Sequence, residues 1–200
     1  SSDGFWGESS RVNFEVDSIN VTTCRNLTVA GREYFQQKNI LENLSYDCIR
    51  ISNENITFIG NGKNMKANLS TANTYRFIST NINVTLKGIN MSGVSGSNTN
   101  SKGIFLGNNS KIINNTLSNE GIKYLIFTNN SIGINISNNN MKTTDNQTIA
   151  IYLSNSNNTY ISNNIINTSG VNGYGIYIIK SDSNRVEKNN VTTSGLNSRG

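Results

Sequence analysis

The sequence predicts an all-β fold, a right-handed, single-stranded parallel β-helix of about seven turns of roughly 24 to 28 residues, on three observations. Short segments recur about 24 to 25 residues apart. Their apolar residues are β-branched or aromatic and alternate with polar ones. Asn, Gly and Ser fill the stretches between them, and the chain has no proline.

The first element, residues 1–23, carries the alternating Val12, Phe14 and Val16 and is expected to form an N-terminal cap or an extra strand over the first turn of the solenoid. The solenoid itself is expected over residues 24–200. Its clearest repeat aligns Ile112 to Leu117, Ile136 to Met141, Ile161 to Ile166 and Val186 to Val191, with Leu86 to Met91 ahead of them in the same register. Four of these segments place asparagine at one position: Asn115, Asn139, Asn164 and Asn189. Stacked at a bend, their amides can bond to those above and below, a structural role weighed here against ligand binding.

A second motif precedes each repeat, as in Gly103-Ile104-Phe105-Leu106, Ala150-Ile151-Tyr152-Leu153 and Gly175-Ile176-Tyr177-Ile178. Alternation directs Ile104, Leu106, Ile151, Leu153, Ile176 and Ile178 inward and leaves an outward stripe of Phe105, Ile126, Tyr152 and Tyr177, preceded on earlier turns by Arg50 and Arg76. Such a stripe either holds sugar rings or a neighbouring subunit, or its rings simply stack on one another across rungs. At the far end Asn197-Ser198-Arg199-Gly200 matches Asn100-Ser101-Lys102-Gly103, which a strand follows directly, so the solenoid is expected to be truncated at its C-terminal end.

Composition constrains the function classes. A hydrophobic fraction of 34% and a mean hydropathy of -0.42 would suit a disordered chain, and only the ordered alternation argues otherwise. The net charge of +5 is divided into about -3 over residues 1–54 and about +8 beyond, with lysine and arginine scattered singly. That pattern argues against a nucleic-acid partner, and no apolar stretch is long enough to span a membrane. Without histidine, Cys24 and Cys48 cannot build a zinc site. The pair reads as a disulfide, which implies an oxidising compartment, against the alternative of two buried thiols in a cytosolic protein.

About fifteen Asn-x-Ser/Thr sequons occur, where chance pairing gives roughly eight. The N-glycosylation candidates are Asn20, Asn26, Asn43, Asn68, Asn83, Asn90, Asn129, Asn146 and Asn167, against an accident of an Asn- and Ser-rich chain. Beyond Glu54 the only acids are Glu120, Asp145, Asp182 and Glu187, and no two share a repeat position, so no carboxylate pair for glycoside cleavage is expected. No catalytic residue, metal site or cofactor is expected.

The stretch from Cys24 to Gly62 resembles the opening of the pectin-lyase-like β-helices found in archaeal surface and adhesin-like proteins and in NosD-like periplasmic proteins. The resemblance is carried by Cys24, by Gly31 with Tyr34 and Lys38-Asn39-Ile40, by Cys48-Ile49-Arg50-Ile51, and by Asn55-Ile56-Thr57-Phe58-Ile59-Gly60-Asn61-Gly62. Asn83-Val84-Thr85-Leu86-Lys87-Gly88 repeats the last element. It implies an extracellular or cell-surface location and a structural or adhesive module of a surface layer, sheath or filament, with neighbouring subunits or glycans as partners. The other function it implies is a carbohydrate-binding or carbohydrate-cleaving β-helix with its active residues outside this segment, because the fold hosts both classes.

Overall fold

A computed structural model describes residues 19–44, 47–69, 76–92, 101–119 and 121–200, without the side chains of residues 43, 44 and 67–69. The expected cap residues Val12, Phe14 and Val16 lie outside the described residues, as do Glu120 and the side chains of Asn43 and Asn68. Among the described residues there is no helix. Twenty-two short strands stack into three parallel sheets, seven strands deep in two and eight in the third. The chain is a β-solenoid.

From the strand Arg25–Leu27 onward the chain visits the three sheets in the repeating order II, I, III. Sheet I runs from Ile19–Val21 and Glu33–Gln36 to Arg185–Glu187; sheet II from Arg25–Leu27 to Tyr174–Ile179; sheet III from Ile40–Leu44 to Asn190–Thr193. Ile19–Val21 is the extra strand of sheet I, paired with Glu33–Gln36. The aligned repeat sets the register: Leu86, Ile112, Ile136, Ile161 and Val186 are successive partners in sheet I. Met65, Met91, Leu117, Met141, Ile166 and Val191 do the same in sheet III.

Apart from Val186, which is exposed on the last strand of sheet I, these columns and the column Ile78, Ile104, Ile126, Ile151 and Ile176 of sheet II meet in one apolar interior. A parallel sheet pairs only when its crossovers bring every strand back to the same place. Here each crossover is another face of the coil. The expected core residues Ile104, Leu106, Ile151 and Leu153 are buried. Ile176 is only half-buried and Ile178 is 37% exposed, because their strand is the last of sheet II and no described strand covers it.

The corners explain the composition. Asn55, Asn83, Asn109 and Asn158 sit at left-handed φ of 53–58° just ahead of sheet I strands, as do Asn114, Asn138 and Asn163 between sheets I and III. Asparagine tolerates this region because its short amide can bond to nearby backbone, whereas a β-branched side chain clashes there. Gly60 meets a tighter limit, since a Cβ on it would lie 2.3 Å from the carbonyl oxygen of Gly88 on the next rung.

Cys24 and Cys48 are bonded, immediately before the paired strands Arg25–Leu27 and Ile49–Ile51, so the disulfide staples two adjacent rungs of sheet II. Their sequence separation is 24, and closing a loop of that length is worth about 3 kcal/mol by the chain-entropy argument. Cys24→Ser/Cys48→Ser is expected to lose roughly that much stability in urea titrations. An unchanged denaturation midpoint would contradict the assignment of the staple as a stabilising element.

Candidate functional site

The interior corner between sheets I and III holds the asparagine ladder. Asn115, Asn139 and Asn164 are at most 2% exposed, and Asn189 is half-buried. Asn139 Nδ2 donates to Asn164 Oδ1 at 3.0 Å and to the Ile112 carbonyl at 2.9 Å, while its Oδ1 accepts from the Asn115 backbone N–H and from Asn115 Nδ2. Asn115 and Asn164 repeat the arrangement with Asn139 and Asn189. The ladder starts where Ile89 takes the position and donates its backbone N–H to Asn115 Oδ1. Two donors and an acceptor oxygen are thus satisfied at each buried amide, which leaves none to present to a ligand.

A second row was not anticipated from the sequence. Ser131, Ser156 and Ser181 line the corner between sheets II and I. Ser156 Oγ accepts from the Ser131 backbone N–H, and Ser181 Oγ accepts from that of Ser156. Each hydroxyl donates to a carbonyl two residues back, and Ser131 also to Leu106. Their 25-residue spacing was the available signal, hidden by the abundance of serine.

The outward stripe on sheet II differs from the expected one at two positions: Phe127 takes the place of Ile126, and on an earlier turn Ser79 takes the place of Arg76, which pairs with Lys102 instead. Ile126 is fully buried and pairs with Ile104 and Ile151, while Phe127 pairs with Phe105 and Tyr152 and belongs to the stripe. The cause is a pair of consecutive inward residues that recurs across sheet II, as Gly103 and Ile104 and as Ala150 and Ile151 on the flanking rungs. In the strand Tyr124–Asn129 two consecutive residues, Leu125 and Ile126, turn inward, so Tyr124 and Phe127 both face out. Strict alternation fails there, and the turn from Ile104 to Ile126 is three residues shorter than the turn from Ile126 to Ile151. The resulting row is Arg50, Ser79, Phe105, Phe127, Tyr152 and Tyr177.

Along it, Phe127 and Tyr152 stack at 5.4 Å with planes 3° apart, and Tyr152 and Tyr177 at 5.5 Å and 2°. The ring faces are therefore turned toward one another, and edges and hydroxyls are what solvent meets. This favours cross-rung stacking over a sugar-stacking platform.

Cations border the aromatic row. The Arg76 guanidinium lies 5.0 Å from the Phe105 ring, the Lys102 ammonium 4.7 Å from Phe127 and the Lys123 ammonium 5.4 Å from Tyr124. Arg76 and Lys102 are partners on adjacent rungs, a like-charge pairing that costs stability. Asp47 meets Arg76 at 3.0 Å. Burial, and then the neighbouring Arg76, push the Lys102 ammonium below the usual lysine range, with Asp47 acting the other way.

The glycosylation candidates separate by what their amides already do. Asn26 and Asn167 are exposed and their side chains make no hydrogen bond among the described residues. Asn129 is half-buried and equally uncommitted, but Ser131 of its sequon is buried. Asn20 and Asn146 use only Oδ1, accepting from Gln37 Nε2 and the Val171 backbone N–H. Asn83 and Asn90 donate through Nδ2, the atom a glycan would occupy, to Asn55 and Asn64.

Of the acids beyond Glu54, Glu187 is bound by the Tyr160 hydroxyl and by Arg185, whose Nε lies at 2.8 Å. The Tyr160 hydrogen bond, followed by the one from Arg185, holds its carboxyl below the ordinary glutamate range. Asp145 accepts from the Gly121 backbone N–H. Among the described residues no three Cys, Asp or Glu side chains converge as metal ligands. Comparison with protein-family models, with curated proteins and with solved structures found no match in any of the three.

Asn139→Ala would orphan the Asn115 amide and the Ile112 carbonyl inside the corner. A loss of about 3 kcal/mol is expected from unsatisfied buried groups, with a clearly smaller loss for Asn189→Ala; equal losses in chemical denaturation would contradict the ladder. For Lys102 the folded-state pKa is lowered, so the unfolded chain holds its proton to higher pH. Stability is expected to rise with pH from the lowered value toward the ordinary one. Denaturation midpoints across that range should show the rise in the parent and not in Lys102→Met; identical pH profiles would remove it.

Proposed function

We propose that the chain is a non-catalytic structural or adhesive module acting outside the cytoplasm, in an archaeal surface layer, sheath or filament. The observation that carries this reading is the Cys24–Cys48 disulfide between adjacent rungs, since such bonds persist in oxidising compartments. The rigid stack, with its corners filled by hydrogen-bonded side chains, suits a load-bearing rod that presents flat faces to neighbours. Uncommitted sequons at Asn26 and Asn167 suit a glycosylated surface. Among the described residues no helix is long and apolar enough to cross a membrane. The likeness of the Cys24 to Gly62 segment to pectin-lyase-like surface proteins adds to the reading, and its partners would be copies of itself, neighbouring subunits or glycans.

One observation favours a second reading, retention of an anionic glycan. Arg76 and Lys102 are partners on adjacent rungs of sheet II, with Arg50 on the rung before and Lys123 on the rung after, and Asp47 pairs with Arg76, so an anion would relieve the repulsion among these cations.

The test combines three measurements on one sample: glycopeptide mapping of secreted protein, sedimentation against concentration, and binding and turnover on neutral and acidic polysaccharides. Occupancy at Asn26 and Asn167, with assembly or binding and without turnover, is the expected result. Turnover of any glycan would overturn the non-catalytic reading. Bare sequons in a monomer that binds nothing would overturn the surface module.

A further inference from the structure

Six of the described residues are tyrosines, and they fall into three environments. Tyr34 is 1% exposed, and its hydroxyl accepts from the Val29 backbone N–H. Tyr160 is committed to Glu187. Tyr124, Tyr152, Tyr174 and Tyr177 gather on the outer face of sheet II, half-buried, and their hydroxyls make no hydrogen bond among the described residues.

The contacts within this group are of two kinds. Tyr152 and Tyr177 are stacked at 2°. Tyr124 and Tyr152, on adjacent rungs, are closer, with centroids 4.9 Å apart and planes tilted by 52°. Tyr174 and Tyr177 form an edge contact within one strand, at 5.2 Å and 77°. The difference has a chemical consequence. A carbon–carbon bond between two phenol rings joins their edges and leaves the planes twisted, so a tilted pair is nearer to that product than a stacked one.

We propose that Tyr124 and Tyr152 are an oxidative cross-linking site, coupled to dityrosine by a peroxide-driven, one-electron oxidant of the compartment that formed the disulfide. Each phenol loses an electron to the oxidant and its hydroxyl proton to solvent. The two radicals combine through ring carbons beside the oxygens, forming one C–C bond. The hydrogens on those two carbons are then lost as protons, the oxygens are reprotonated, and both phenols are restored. Hydrogen peroxide takes the two electrons and two protons and leaves as two waters.

The product would join the strands Tyr124–Asn129 and Ile149–Ser154 as the disulfide joins Arg25–Leu27 and Ile49–Ile51. Both links tie neighbouring rungs of the same sheet. The inference shares the oxidising compartment with the surface-module reading, but the chemistry is tested on purified protein with a supplied oxidant, so either can fail without the other.

Dilute protein treated with a haem peroxidase and limiting hydrogen peroxide is expected to remain monomeric, gain dityrosine fluorescence and lose two hydrogens in intact mass. Tandem mass spectrometry should find the Tyr124 and Tyr152 peptides joined. Tyr124→Phe keeps the ring and its packing and is expected to abolish that product, while Tyr177→Phe leaves its yield unchanged. Absence of dityrosine, coupling only between chains, or a yield undiminished in Tyr124→Phe would overturn the assignment.

Discussion

A buried amide is tolerated only when its hydrogen-bonding positions are filled, and in this chain that requirement and the solenoid define each other. Asn115, Asn139 and Asn164 fill theirs with the rung above and the rung below. They can do so only if successive turns superimpose at the corner. A turn out of register would leave an amide, a backbone N–H and a carbonyl unsatisfied together, so the ladder selects one register as well as stabilising it. The serine row does the same at the next corner, using hydroxyls that accept from the rung before and donate locally. The apolar columns between these corners then fall into line.

This division of labour accounts for a chain with a low hydrophobic fraction that nonetheless folds. Its interior is narrow, so a few columns of isoleucine, leucine and methionine fill it. The remaining residues turn corners, where left-handed backbone favours asparagine, or face solvent. Asparagine therefore has three roles here that composition alone merges: it supports left-handed corners, forms the buried ladder, and offers exposed amides at Asn26 and Asn167.

The parts legible in the sequence were those with strict period. The sheet I and III columns, the ladder position and the disulfide follow from repeats that hold their spacing from Leu86 onward or from paired cysteines flanking strands. What was illegible broke the period. Ile126 looked outward because alternation was carried across a shorter turn in which Leu125 and Ile126 both point inward. The true stripe residue, Phe127, was one position away. The Arg76 and Lys102 pairing needed the rung register, since 26 residues separate them in sequence. Nor could sequons reveal which amides were already used, because the bonds of Asn83 and Asn90 run to other rungs.

Sheet II thus carries the distinctive surface, with cations toward its first rungs and tyrosines toward its last, on a scaffold fixed by the corners of the other sheets. Whether the surface can be specific depends on whether those corners hold. Hydrogen exchange of the side-chain amides, followed residue by residue by NMR, tests this most directly. The account predicts that the amides of Asn115, Asn139 and Asn164 exchange only on unfolding, while that of Asn26 exchanges freely. Ladder amides that exchange as fast as Asn26 in the folded protein would contradict it.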